Sequence, residues 1–258
     1  MSFDADLTAC AALVERADPD RFLAAMAAPV QARRVLFPIY ALNIEVARAP
    51  WVTQESMIAE MRLQWWRDAL AEIAAGGPVR RHEVVTPLAR VLRPELAAQM
   101  DEMIAVRRWD IYRDAFEDAA HFSRYIEQSA GTLMWAAAAS LGEADAVVVR
   151  DVGFASGLAN WLAAVPELEA RGRIPLLDGR SEGVRALADM GLERLQRARA
   201  GRARISSRAR PALLAAWQAG AILTQARKHP GAVAEGLLGQ SPFRKRLGLI
   251  FQTATGRW

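Results

Sequence analysis

Apolar side chains recur every third or fourth residue through most of this chain, the spacing of helices buried along one face. Leu63, Trp66, Leu70 and Ile73 form one such stripe, and Phe154, Leu158, Trp161 and Val165 form another. In FPIYALNIEVARAPWV, residues 37–52, the stripe is Ile39, Leu42, Val46 and Ala49. Pro50 should stop that helix near Ala49, because proline disfavours helical geometry in the residue before it. β-Branched alternation is scarce, so the pattern predicts helices throughout.

Breaks fall at Asp18-Pro19, Ala49-Pro50, Gly76-Gly77-Pro78, Gly142, Gly172, Gly179 to Gly183, Pro211 and Pro230-Gly231. They leave about nine helices and no linker long enough to divide the chain. The expected fold is an all-α, single-domain helical bundle over residues 1–258. Helix 151–165 carries a second apolar stripe, Val152, Ala155, Ala159 and Leu162, beside the first, which places it in the middle of the bundle. Asn160 is its polar residue after Ser156 and is expected there as a hydrogen-bonded core amide. The Ala-rich tract from Met134 to Leu141 suits close helix packing.

Composition supports a large core, with 52% apolar residues among 258. No uninterrupted apolar run of about 18 residues occurs, so no membrane-spanning helix is expected. Neither a basic start nor a compact apolar run opens the sequence, so no signal peptide is expected. The single cysteine, Cys10, excludes an internal disulfide and a thiolate metal cluster, and fits a reduced, cytoplasmic setting. Among His82, His121 and His229 no pair has ligand spacing, so no metal site is read from them. Residues 191–258 hold 13 Lys and Arg against 2 acids, an excess of +11, while the remainder carries −7. Such a segment attracts anions, whether lipid headgroups, diphosphates or the acidic face of a partner, or forms a solvated Arg-rich surface. No nucleic-acid recognition motif accompanies it, and no nucleic-acid partner is expected.

Four segments, in order, resemble the squalene/phytoene synthase family of head-to-head prenyltransferases. PVQARRVLFPIYAL is similar to that family's entry into its first metal-binding helix, and YIEQSAGTLMW, residues 125–135, to its "YCxxVAGxVG" segment. DVGFASGLANWLAAVPELEARGRIPLL, residues 151–177, looks like the helix of "QLTNILRDxxED" followed by "RGRxYLP". The Arg-rich C-terminal end matches in pattern. The resemblance implies the isoprenoid synthase fold, with two aspartate pairs holding Mg²⁺ against a prenyl diphosphate.

At every such position this sequence departs from that pattern. Aligned on Tyr40-Ala41, the first aspartate pair falls on Ala47 and Trp51; aligned on Asn160, the second falls on Ala164 and Leu168. No metal and no cofactor is therefore expected, with Mg²⁺ implied only by residual prenyltransferase activity. Tyr125 matches a tyrosine that the resemblance places in the reaction cavity, although a tyrosine on an apolar helix is more often a core residue with a bonded hydroxyl. Tyr40, Asn43, Glu45, Tyr125, Asn160, Glu167, Arg171 and Arg173 remain as cavity or ligand candidates.

YALNIEVARAPWVTQESMIAEMRLQWWRDALAEI, residues 40–73, and RRWDIYRD, residues 107–114, resemble a degenerate branch of the family. That branch includes a mitochondrial assembly factor for respiratory complex I and its bacterial relatives. The resemblance implies a non-catalytic binding or assembly factor partnered by a respiratory-complex subunit. Its rivals are a prenyl diphosphate transferase with an altered metal site and an isoprenoid or quinone carrier that keeps the old cavity. Trp65, Trp66 and the segment from Phe243 to Phe251 are candidate contact surfaces. The segment FRKRLGLIFQTATGRW mixes cations with oily residues, so it either lies on an anionic membrane surface or docks on the bundle with its cations in water. A peripheral position on the inner membrane face follows from the first of these.

Overall fold

The structure, a computed structural model, describes residues 4–258. Among them the chain forms α1 (Ala5–Ala17), α2 (Pro19–Ala27), α3 (Val30–Arg48), α4 (Ser56–Ala74), α5 (Val85–Ala89), α6 (Pro94–Val106), α7 (Trp109–Tyr112) and α8 (Ala119–Ile126). A π-helical turn, Glu127–Gly131, leads into α9 (Thr132–Leu141), then α10 (Ala146–Ala170), α11 (Ser181–Ala200), α12 (Arg210–Leu213), α13 (Ala219–Lys228), α14 (Gly231–Ala234) and α15 (Pro242–Thr255). Those of ten residues or more are α1, α3, α4, α6, α9, α10, α11, α13 and α15, a number close to the count the sequence predicts, although the sequence marks no break between Pro78 and Gly142, where α5 to α9 lie. The rest are α2 and α8, of about two turns each, and single turns in the connections, and the described residues contain no strand beyond an isolated bridge between Ala144 and Ile205.

Local chemistry sets many of the boundaries. Asp4, Asp18, Asp118 and Asp145 accept from backbone N–H groups at the starts of α1, α2, α8 and α10, satisfying donors that a helix start leaves open. α3 ends at Arg48, and Ala49–Trp51 continues as one 3₁₀ turn, as Pro50 requires. Two predicted breaks differ. Gly183 lies inside α11, and Pro211 sits in the first turn of α12, where a missing N–H costs nothing. Two prolines the pattern did not flag, Pro38 and Pro166, are carried inside α3 and α10.

α10 occupies the middle of the bundle, packed against α9, α11, α13 and the π turn, while α1 lies on α3 and α4 on α6. Its apolar residues face inward on nearly all sides down to Val165. Close approach to the π turn depends on two glycines. A Cβ on Gly157 would lie 2.4 Å from the Ala130 Cβ, and one on Gly153 would lie 2.8 Å from the Ala130 carbonyl. A small satellite cluster, Ala24, Leu214, Trp217 and Leu249, joins α2 and α15. Cys10 is fully buried in α1, its Sγ 3.4 Å from the Glu83 carbonyl, and burial pushes its thiol pKa up to about 12. Within the described residues no helix is long and apolar enough to cross a membrane.

Candidate functional site

α3 and α10 do not close on each other; they flank a cleft. Ala47 from α3 and Ala164 from α10 line a cavity of about 250 Å³, together with Asn43, Trp51, Asn160 and Leu168. A second hollow of about 460 Å³ continues past the same alanines to Glu167 and Arg171. A third, about 650 Å³, opens beyond Trp51 toward Arg113, Arg171 and Arg173. Trp51 lines all three.

At the cleft wall α6 ends and α7 makes a single helical turn before Arg113 breaks it in the left-handed region, at φ 61°. That turn brings Asp110 inward beside Tyr125 of α8. The Tyr125 hydroxyl donates to Asp110 Oδ1 at 2.8 Å, and Arg107 Nη1 donates to the Tyr125 oxygen at 2.9 Å and to Asp110 Oδ2 at 3.2 Å. Burial opposes the charge on Arg107, but Tyr125 and Asp110 outweigh it and hold its pKa above the ordinary value. Burial also raises the Tyr125 pKa well above that of a free phenol, so the hydroxyl stays protonated. Trp109, Phe116, Phe122 and Trp161 pack edge-on or stacked around this group, and the Trp161 indole donates to the Pro175 carbonyl at 2.9 Å.

The rim is built differently. The Arg171 and Arg173 guanidinium carbons lie 4.7 and 5.1 Å from the centre of the Trp51 ring, and Arg173 also lies 5.8 Å from Trp109. Arg171 pairs with Glu167 at 2.5 Å. Arg173 is 7% exposed, and its Nε and Nη1 have no hydrogen-bond partner. Burial lowers its pKa.

The sequence candidates separate into two groups. Asn43, Tyr125, Asn160, Glu167, Arg171 and Arg173 line the cleft and its continuations with the four positions Ala47, Trp51, Ala164 and Leu168. Tyr40 and Glu45 lie away from it. Tyr40 is buried with its hydroxyl 3.5 Å from the Ala212 carbonyl, because α3 turns that residue toward α12. Glu45 pairs with Arg48 at 3.2 Å and borders a separate groove with Trp65, Trp66 and His82. Asn160 is exposed to the cleft, not a core amide, since α10 has no neighbour on that side. Trp66 is buried and its ring meets exposed Trp65 edge-on, so Trp65 alone of the pair offers a surface. Arg21, Arg107 and Asp110 also line the cleft without having been singled out as site residues. The signal for two of them was the RRWDIYRD segment, whose Arg107 and Asp110 are three residues apart.

Magnesium needs six oxygen ligands in near-ideal geometry, with carboxylates among them. Here three carboxylates that line the cleft and its continuation are engaged: Asp110 by Arg107 and Tyr125, Glu167 by Arg171, and Asp18 by Arg21, while Glu55 stands by itself, among the described residues, in the outer hollow. Among the described residues no group of three or more His, Cys, Asp or Glu could hold a metal ion. The residues present do not fit a diphosphate-bridging Mg²⁺ centre.

The family model described as squalene/phytoene synthase matches residues 14–176. A Drosophila melanogaster protein named NADH dehydrogenase (ubiquinone) complex I, assembly factor 6 homolog is 28% identical over 177 residues, covering 65% of this chain and 53% of its own. The Homo sapiens assembly factor 6 is 22% identical over 169 residues, covering 64% of this chain and 51% of its own. The chain thus spans about half the length of the curated relatives it matches. A dehydrosqualene synthase solved with a ligand superposes with a TM-score of 0.79 at 18% identity, over 97% of this chain and 96% of that one. A squalene synthase from Alicyclobacillus acidocaldarius gives 0.69 at 19% identity, over 86% and 93%. Similarity at that identity speaks for the fold alone.

Proposed function

The chain belongs to the squalene/phytoene synthase family, and from that premise we propose that it is a non-catalytic binding or assembly factor, serving a respiratory complex of the complex I type. The observation that carries this reading is the lining of the cleft. Ala47, Trp51, Ala164 and Leu168, the positions where the family resemblance sets aspartates, line this cleft without a carboxylate, and Trp51 meets both rim arginines with its ring. Ionising a prenyl diphosphate requires metal or several free cations at the leaving group. Glu45, offered by an altered metal site, borders a different groove from Glu167. The names carried by the Drosophila and human relatives support the assembly role.

Deleting the gene in its source organism should lower the amount of assembled complex I on native gels, with recovery on re-expression of the chain. Pyrophosphate released above background from farnesyl or geranylgeranyl diphosphate with Mg²⁺ would overturn the non-catalytic reading in favour of a transferase. A second reading, an isoprenoid or quinone carrier, draws on the cleft remaining open beside Ile126, Leu133 and Trp161. Saturable binding of a prenyl alcohol or quinone without turnover would favour it.

A further inference from the structure

The C-terminal helix turns its oily side outward. At about 100° per residue, Lys245, Leu249 and Gln252 share one face of α15, and these are the residues that hold it to the bundle. Leu249 enters the satellite cluster with Leu214 and Trp217. Lys245 pairs with Asp20 at 2.7 Å, and the Gln252 amide donates to the Trp217 carbonyl at 2.9 Å. The opposite face carries Phe243, Leu247, Ile250 and Phe251, which are 74%, 55%, 65% and 57% exposed. Arg244 and Arg246 flank this stripe on its two sides. Both are exposed, and neither has an ion-pair partner among the described residues.

A helix docked for stability alone would reverse this arrangement, burying its large apolar groups and leaving its polar ones in water. α15 instead attaches through one leucine and two polar bonds and leaves four large apolar side chains facing solvent. A contiguous exposed stripe of this kind marks an interaction surface. Its borders indicate what covers it. Arginine on both flanks lets the stems lie along the oily stripe while the guanidinium groups reach phosphate, the layout of a helix lying in a lipid interface. The +11 excess of residues 191–258 adds attraction to an anionic surface.

We propose that α15 is an interfacial helix that lays Phe243, Leu247, Ile250 and Phe251 into the headgroup–acyl boundary of an anionic phospholipid bilayer. The bundle then rests on the membrane without crossing it.

Co-sedimentation of the full chain with vesicles of mixed phosphatidylglycerol and phosphatidylcholine, and with phosphatidylcholine alone, tests this. The wild-type chain should bind the mixed vesicles and bind the neutral ones weakly. Leu247→Glu with Ile250→Glu should lower binding to mixed vesicles more than about tenfold. Arg244→Gln with Arg246→Gln should lower it about fivefold for each charge removed. All four side chains are exposed, so thermal unfolding followed by circular dichroism should be unchanged and separate lost binding from lost folding. Absence of binding to anionic vesicles would overturn the proposal, as would equal binding by the glutamate variant. So would self-association in sedimentation equilibrium that the glutamate variant abolishes, because a second copy would then cover the stripe. None of these outcomes depends on whether the chain serves complex I.

Discussion

Arg107 and Arg173 both border the central cleft and both are deeply placed, yet their surroundings push them in opposite directions. Arg107 meets a carboxylate and a phenol at hydrogen-bond distance, and its pKa is raised. Arg173 meets two indole faces, keeps two nitrogens unpartnered, and its pKa is lowered. The first is neutralised inside the protein and holds α6, α7 and α8 in register. The second is only shielded, with two buried nitrogens that no acceptor meets. A buried arginine is thus no sign of a binding site by itself; what decides is whether a carboxylate has already claimed it.

Removing the charge at each place is the most direct way to break that comparison. Arg107→Met should cost about 3–5 kcal/mol in urea unfolding, because it leaves Asp110 buried and unbalanced. Adding Asp110→Asn should recover part of the loss, since it removes the orphaned charge. Tyr125→Phe should cost about 1–3 kcal/mol, because it takes the donor from a buried carboxylate that keeps its arginine. Arg173→Met should change stability by less than about 0.5 kcal/mol, or raise it, because no ion pair is lost and a costly buried charge is relieved. If Arg173→Met proved as damaging as Arg107→Met, the rim would be a structural element like the wall.

The fold was largely legible in the sequence because helical periodicity is a local property, and Ile39, Leu42 and Val46 announce α3 without reference to any neighbour. The all-round apolar pattern of 151–165 likewise placed α10 at the centre. The cleft was legible only in part. Which side a polar residue takes depends on what packs beside its helix, and periodicity does not say. Asn160 sits on the one side of α10 that lacks a neighbour, while Glu45 sits on the side of α3 that faces α4. Arg107, Asp110 and Tyr125 come together through the one-turn helix α7, too short to leave a periodic signal. The outward stripe of α15 had the same limit. Its composition showed oil and cations, but only the docked helix shows that, of its large apolar residues, Leu249 is the one turned inward.

The buried thiol of Cys10 gives the molecule a built-in clock. A group with a pKa near 12, enclosed between α1 and the Glu83 carbonyl, presents almost no thiolate to reagents while the bundle is closed. A chromogenic disulfide added in excess would react only when the α1 region opens, so the rate of colour development would count opening events. Because the sequence holds one cysteine, that signal would come from a single place.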